Sequence, residues 1–130
     1  MNSKKIPGPK TSEQEVFDFV VAHLLTQGCK SRAGRGGFRR LSEGGCAYRG
    51  ESPDGAPAQC AAGCLIPEEE YHHSFEGRPV THLPYFHGWR ARDLVTQLQG
   101  VHDSTPVQDW PATLRSVARK FCLHYNPPKD

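Results

Sequence analysis

The chain has 130 residues, of which 36% are hydrophobic, so its length and composition suit one domain with a modest core. The 16 Lys and Arg residues nearly balance the 14 Asp and Glu residues, and a net charge of +2 does not by itself indicate nucleic-acid binding. The 13 glycines and 11 prolines predict long connections between few regular elements.

The sequence contains no signal for a membrane or for secretion. No apolar run approaches the roughly 18–20 residues that a membrane span needs. Lys4 and Lys5 are not followed by an apolar segment, which argues against a secretory signal. The five cysteines form no framework of pairs, so reduced thiols and a cytoplasmic location are expected.

Residues 1–11 are predicted to be a disordered tail, and one globular domain is predicted over 12–126. The first helix is expected at about 13–27, because Ser12 and Glu15 have the spacing of a capping box. Gly28 stands where a left-handed C-terminal cap belongs. Apolar residues recur between them at steps of three and four: Val16, Phe17, Val20, Val21, Leu24 and Leu25.

Glycines interrupt residues 29–45, which are predicted to be a flexible Arg/Gly-rich loop within the domain. Residues 46–50 follow as a short strand, and SPDG at 52–55 has the signature of a turn. The returning segment 58–66 is either the second strand of a hairpin or a helix rich in small residues. Ala and Gly are poor strand residues, so we favour the helix. Pro67 and the three glutamates after it suit the first turn of a helix.

Two further amphipathic helices are predicted, over about 89–102 and 110–123. Asp109 is the expected N-cap of the last helix, and Pro111 lies in its first turn. The apolar stripes of the two helices are Leu94, Val95, Leu98 and Val101 in one and Trp110, Leu114, Val117, Ala118 and Phe121 in the other. The expected fold is therefore α+β and mostly helical, a small single domain with three amphipathic helices around a short β-hairpin, whose stripes share one core.

The cysteines of the middle segment allow four interpretations, one of which is a disulfide. Cys60 and Cys64 are flanked by Ala and Gly, which favours buried packing as small apolar residues. A zinc site would need Cys46 and His72 to join them, and this spacing is not that of a zinc motif. A nucleophilic Cys60 with a histidine base would make the chain a small enzyme. We expect packing, with no metal and no other cofactor.

Residues 30–40, KSRAGRGGFRR, contain five positive charges and no negative one. An RGG triplet beside a phenylalanine is typical of segments that bind single-stranded nucleic acid, although one triplet is a weak signal and a solvated loop is the alternative. We expect an acidic macromolecular partner, with a protein favoured over nucleic acid or a nucleotide. The candidate contact residues here are Arg32, Arg35, Phe38, Arg39 and Arg40.

Two other candidate contacts lie outside this segment. Arg49 precedes a glycine and a turn, where a fixed guanidinium can bind a partner's phosphate or carboxylate. It can equally form an internal pair with Glu68 or Asp54, which we favour because the turn needs anchoring. Tyr85, Phe86 and Trp89 are expected to be exposed aromatics, which commonly anchor protein interfaces.

The string CAYRG, a turn and then CAAGCLIPEEEY resemble a family of small uncharacterised proteins of bacteria, phages and prophages. The order of other segments is similar too: the leading helix, FEG at 75–77, LQGVHD at 98–103 and a closing helix with W-x-x-x-L. The resemblance covers about 13–123. It implies a small accessory protein of a mobile element and carries no catalytic role.

The function expected on these grounds is stoichiometric binding and inhibition of a host macromolecule, such as a defence complex. One alternative is a nucleotide or nucleic-acid binding module that uses Arg35, Arg39, Arg40 and Arg49. The other is the small Cys/His enzyme. The segment 46–71 is expected to be the fold-defining centre of the domain rather than its active site.

Overall fold

A computed structural model describes residues 5–33 and 46–128, and these ranges form an α+β domain, as predicted. In chain order its elements are α1 (Glu13–Gln27), β1 (Arg49–Glu51), β2 (Pro57–Gln59), α2 (Arg92–Ser104) and α3 (Trp110–Lys120). Five single 3-10 turns lie between β2 and α2, separated by irregular segments. None of the described helices combines the length and the apolar character of a membrane span.

The first helix begins and ends where its capping residues predict. The backbone N–H of Glu15 donates to Ser12 Oγ at 3.2 Å, and the Ser12 hydroxyl donates to Glu15 Oε1 at 3.1 Å. At the other end, Gly28 has a φ of 68° and donates its N–H to the Leu24 carbonyl at 2.9 Å. Glycine adopts this left-handed conformation without the strain that a Cβ would add.

The three helices pack on one another around one core, and their predicted stripes face it. Phe17, Leu24, Leu98 and Leu114 are fully buried, as predicted. Phe121 was predicted to be nearly buried and is only half-buried. The reason is that α3 ends at Lys120, so the backbone at Phe121 no longer continues the helical face.

The hairpin corrects the prediction for the returning segment. β1 and β2 pair antiparallel, with Gly50 opposite Ala58, and the turn closes through a bond from Gly55 N–H to the Ser52 carbonyl at 2.9 Å. A helix over 58–66 is therefore wrong, because its first residues form a strand and only Gly63–Leu65 is helical, as one 3-10 turn. Backbone pairing with β1 outweighs the poor strand propensity of alanine.

Two glycines let loop backbones approach closely at the centre of the fold. A Cβ on Gly63 would lie 2.0 Å from the Tyr48 carbonyl oxygen, and a Cβ on Gly50 would lie 2.2 Å from the Arg32 carbonyl oxygen. No side chain fits at such distances. The glycines of CAYRG and CAAGC are therefore required by close contacts between backbones.

Two segments expected to lack order have defined contacts where the structure describes them. The Thr11 N–H donates to the Gly8 carbonyl at 3.1 Å, and the Arg90 N–H donates to the Pro9 carbonyl at 2.9 Å, so a turn at 8–11 contacts the domain. Arg32 exchanges two backbone hydrogen bonds with Glu51, at 3.1 and 2.8 Å, so 29–33 joins the hairpin. The tail was also predicted to include 1–4, and the loop to include 34–45. These residues lie outside the described ranges.

Candidate functional site

A broad cleft of about 1110 Å³ opens beside the hairpin. Its walls come from residues 28–33, from the hairpin turn at 51–55 and from the connection between α2 and α3 at 104–108. Ala33 belongs to the lining, so the cleft adjoins the point where the chain enters the Arg/Gly-rich stretch. One wall of the cleft therefore contains Lys30 and Arg32, which belong to the segment that we predicted to contact a partner.

Burial alternates along 30–33, where Arg32 forms β-bridges with Cys46 and Glu51. Successive side chains of an extended segment point to opposite sides. Ser31 and Ala33 are buried, whereas Arg32 is exposed and Lys30 is partly exposed. The Ser31 hydroxyl donates to the Ala58 carbonyl at 3.2 Å, which ties this segment to β2. Lys30 and Arg32 are consequently presented on a fixed backbone.

The hairpin wall, which joins 29–33 through the pairing of Arg32 with Glu51, contains carboxylates. Asp54 accepts hydrogen bonds from the Ser52 hydroxyl and, at 3.5 Å, from the Ala56 N–H. These bonds, the Ser52 bond above all, lower the pKa of Asp54 and keep its carboxylate charged. With Glu51 beside it, this wall offsets the charges of Lys30 and Arg32. The described lining is thus close to neutral.

A buried histidine holds the basic wall in place. The Ser31 backbone N–H donates to His102 Nε2 at 2.9 Å, and His102 Nδ1 lies 2.8 Å from Asp103 Oδ1. Because Nε2 accepts, the ring proton is assigned to Nδ1, which donates to the carboxylate. His102 is fully buried. In this arrangement both of its ring nitrogens are occupied, so it is not free to serve as a base.

Cys46 completes a cluster with this pair. One ligand atom from each of Cys46, His102 and Asp103 lies within 4.8 Å of the other two. Burial and then the Asp103 charge raise the pKa of the Cys46 thiol, against the smaller opposite effects of Arg32 and Lys30. The thiol form is therefore favoured, and a nucleophilic role is disfavoured. The strings CAYRG and LQGVHD, far apart in sequence, meet at this cluster.

Cys60 and Cys64 have the packing role that we predicted. Both are buried, and burial raises the pKa of each thiol. The Gly63 N–H donates to Cys60 Sγ at 3.3 Å, and the Cys64 thiol donates to the Ala61 carbonyl at 3.1 Å. Both sulfur atoms thus form hydrogen bonds within the turn that contains them. A nucleophilic Cys60 has no support in this environment.

The zinc set considered from the sequence, Cys46, Cys60, Cys64 and His72, is not brought together. His72 is exposed, and its Nδ1 accepts from the Ser74 N–H at 3.1 Å. Across 5–33 and 46–128, the convergent group of three possible ligands is instead Cys46, His102 and Asp103. Sequence spacing did not indicate this group because Cys46 and His102 become neighbours only through tertiary packing.

Arg49 forms the internal pair that the sequence favoured. Its guanidinium donates to the Ile66 carbonyl at 2.7 Å, lies 3.7 Å from Glu68 Oε1 and stacks over the Tyr71 ring at 4.8 Å. The Glu68 side chain is 92% exposed, so the ion pair itself contributes little. Arg49 does not belong to the cleft lining. These contacts favour its structural role over a role in binding a partner.

Glu76 is a buried carboxylate that sequence reasoning did not single out. It accepts from the backbone N–H of Tyr48 at 2.9 Å, from that of Arg49 at 3.1 Å and from the Tyr71 hydroxyl at 2.6 Å. Burial and this hydrogen bond raise the pKa of Tyr71. Glu76 therefore fastens the start of β1 to the irregular segment that precedes α2. In the sequence, the only indication of this burial is that Glu76 lies between Phe75 and Gly77, outside the predicted helices.

The aromatic candidates are placed differently from the prediction. Phe86 and Trp89 are buried, with ring centroids 4.9 Å apart, so the expectation that they are exposed is wrong. They pack in the same cluster as the helix stripes, which explains why they are withdrawn from solvent. Tyr85 is half-buried against Trp89, at 5.6 Å between ring centroids. Of these three aromatic residues, Tyr85 is thus the one whose side chain can contact a partner.

The remaining candidates belong to the basic segment. Arg32 is exposed at the cleft. Arg35, Phe38, Arg39 and Arg40 lie outside the described residues.

Comparison with protein families, with curated proteins and with solved structures finds no match for this chain. The resemblance drawn from its sequence strings stays a prediction.

Proposed function

We propose that the protein is a small binding protein that engages an acidic segment of a macromolecular partner at the cleft between 28–33, 51–55 and 104–108. The observation that carries this proposal is the position of Lys30 and Arg32. Both line the cleft on a backbone fixed to the hairpin, and the chain continues from there into the Arg/Gly-rich stretch.

The charge expected of the partner follows from the residues after Ala33 in the sequence. The described walls are nearly neutral, because Glu51 and Asp54 offset Lys30 and Arg32. Residues 34–45 add Arg35, Arg39 and Arg40 against one carboxylate, Glu43. Arginine matches the planar geometry of carboxylate or phosphate, so an acidic surface is the complementary ligand.

A protein partner is favoured over nucleic acid for a local reason. The hairpin wall keeps Glu51 and Asp54 at the cleft, where they would repel the continuous charge of a phosphate backbone more than a protein segment whose carboxylates alternate with neutral and basic side chains. The same carboxylates can pair with basic side chains at the edge of a protein interface. The mixed lining thus suits a partner with an acidic centre and some positive charge nearby.

The biological setting is proposed from the resemblance. A cytoplasmic accessory protein of a phage or prophage would bind and inhibit a host complex stoichiometrically, without turnover. The chemistry of three of the five thiols agrees with a role without turnover. Burial raises the pKa of Cys60, Cys64 and Cys46, which leaves them poor nucleophiles.

The test is capture of a partner from a host lysate with two matched variants. The first replaces Arg35, Arg39 and Arg40 with Ala. The control replaces the exposed arginines Arg78, Arg90 and Arg92, which removes the same charge at other surfaces. We expect the control to retain the captured protein and the first variant to lose it. Equal capture by both would contradict the proposal, and capture of nucleic acid alone would favour the nucleic-acid alternative.

A further inference from the structure

The cluster of Cys46, His102 and Asp103 has a chemistry that partner binding does not use. Its possible ligand atoms lie within 4.8 Å of one another and combine a thiol, an imidazole and a carboxylate. We propose that these three residues bind a divalent cation of borderline-soft character, such as Zn²⁺ or Co²⁺. This inference is independent of the function proposed above.

The choice of metal follows from the ligands. Zn²⁺ and Co²⁺ accept thiolate, imidazole and carboxylate together, whereas Mg²⁺ and Ca²⁺ prefer oxygen ligands alone. A thiolate from Cys46 and the carboxylate of Asp103 would balance the two positive charges of the ion. A neutral centre of this kind suits a half-buried position, where an uncompensated charge would be costly.

The surroundings provide support for the carboxylate and access for the ion. Gln99 Nε2 donates to Asp103 Oδ1 at 2.9 Å, and Gln99 Oε1 accepts from the Ala62 N–H at 2.9 Å. Such outer contacts orient a metal-binding carboxylate. Cys46 and Asp103 also line a cavity of about 540 Å³, with Thr96 and Gln99 in its wall. Water in this cavity can supply the fourth ligand of a tetrahedral site.

Binding requires a change in the protonation of His102. Its Nδ1, which faces Asp103, now holds the ring proton, while Nε2 accepts from Ser31. Coordination through Nδ1 moves the ring proton to Nε2, and the Ser31 N–H then loses its acceptor. The Cys46 thiol gives its proton to solvent, so about one proton leaves for each ion bound.

This exchange alters the contacts of Ser31 and Cys46. Ser31 and Cys46 lie on adjacent backbones, since the Ala47 N–H donates to the Ser31 carbonyl at 3.0 Å, and residues 34–45 connect them. Metal binding would fasten Cys46 to α2 while it releases Ser31 from His102.

The test is titration of the full chain with Co²⁺, followed by thiolate-to-cobalt charge-transfer absorption. We expect this band to saturate at about one Co²⁺ per chain and to disappear when Zn²⁺ is added in competition. Cys46→Ser and Asp103→Asn should lose the band while retaining the circular dichroism of the wild type. Cys29→Ser and Cys122→Ser are the matched controls and should keep it. Absence of the band in the wild type, or its persistence in Cys46→Ser, would overturn the proposal.

Nitrogen-15 NMR of the histidine rings tests the role of His102 without any mutation. We expect its ring proton to move from Nδ1 to Nε2 when Zn²⁺ is added, and amide hydrogen exchange at Ser31 to become faster. A structural role alone predicts no change in either signal. Metal binding with an unchanged His102 tautomer would therefore contradict the three-ligand site.

Discussion

Gly63 packs directly against the backbone of Tyr48, so close that a Cβ on residue 63 would lie 2.0 Å from the Tyr48 carbonyl oxygen. Tyr48 is itself fixed from the other side, because its N–H donates to the buried carboxylate of Glu76 at 2.9 Å. Neither backbone can move away without breaking other contacts. This relationship fixes the backbone at Tyr48 against the backbone at Gly63.

Gly63→Ala should destabilise the protein strongly, because the new methyl group would force the Tyr48 carbonyl away from its position. We expect the free energy of unfolding to fall by about 2–3 kcal/mol, as for overpacked cores. Chemical denaturation monitored by circular dichroism measures it. Gly88→Ala is the control, since a Cβ there meets nothing within 4 Å. A loss at Gly63 no larger than at Gly88 would contradict the close approach.

Gly100→Ala should have the opposite effect. Gly100 lies inside α2, and a Cβ at this position meets nothing within 4 Å. Alanine reduces the conformational freedom of the unfolded chain and favours the helix, so the free energy of unfolding should rise by about 0.5–1 kcal/mol. The same denaturation experiment detects this gain. A loss of stability would mean that residue 100 is not in open space.

The shared core predicts a similar cost for leucines on different helices. Leu98 and Leu114 are both fully buried, one on α2 and the other on α3. Truncation of either residue to Ala should lower the free energy of unfolding by about 2–5 kcal/mol, since it removes buried methyl groups and leaves a cavity. Changes well below about 1 kcal/mol at both sites would show that these helices do not share the core.

The helices could be predicted because their signals are local. The stripe of α1, the Ser12 cap and the Gly28 cap all lie within one stretch of sequence, and the structure confirms them. The error at 58–66 arose from the same reliance on local preference. Ala58 is a poor strand residue, and only its pairing with Gly50 makes it part of a strand.

The candidate site was harder to predict because long-range contacts build it. Nothing in the spacing of Cys46 indicates that it meets His102 and Asp103, so the sequence grouped it with Cys60 and Cys64 instead. The burial of Trp89 could not be predicted for the same reason. In an irregular segment, the sequence pattern around an aromatic residue is the same whether its side chain faces the core or solvent. Composition did indicate the basic character of 30–40, of which Lys30 and Arg32 line the cleft.

His23 should make stability depend on pH. Burial lowers the pKa of His23 below its usual 6.5, against the raising effect of its hydrogen bond to the Gln59 carbonyl at 2.8 Å. The unfolded chain therefore takes up this proton more readily than the folded one. The contribution of neutral His23 is present above about pH 6.5 and is lost as the pH falls below it.

The free energy of unfolding should thus decrease more steeply between about pH 7 and about pH 5 in the wild type than in His23→Gln. Glutamine keeps a donor for the Gln59 carbonyl but does not titrate, which makes it the matched variant. Urea denaturation across this range provides the comparison. Parallel pH profiles for the two proteins would show that His23 does not contribute.

The basic stretch that follows Ala33 in the sequence should dominate binding, because Arg35, Arg39 and Arg40 supply positive charge that the nearly neutral described lining lacks. Once a partner is identified, replacement of all three by Ala should lower affinity from several-fold to about a hundredfold, at about 0.5–1.5 kcal/mol per contact. Folding should be unchanged by circular dichroism.

Calorimetric titration over a range of salt concentrations also separates the classes of partner. Affinity for a protein with few interfacial charges should weaken gently as salt rises, whereas affinity for nucleic acid should fall steeply, with a slope that counts the phosphates contacted. The triple variant should show a shallower slope than the wild type in either case. If the triple variant binds as the wild type does, the basic stretch is not the interface. The surface around Tyr85 is then the next to test, because Tyr85 is not buried, unlike Phe86 and Trp89.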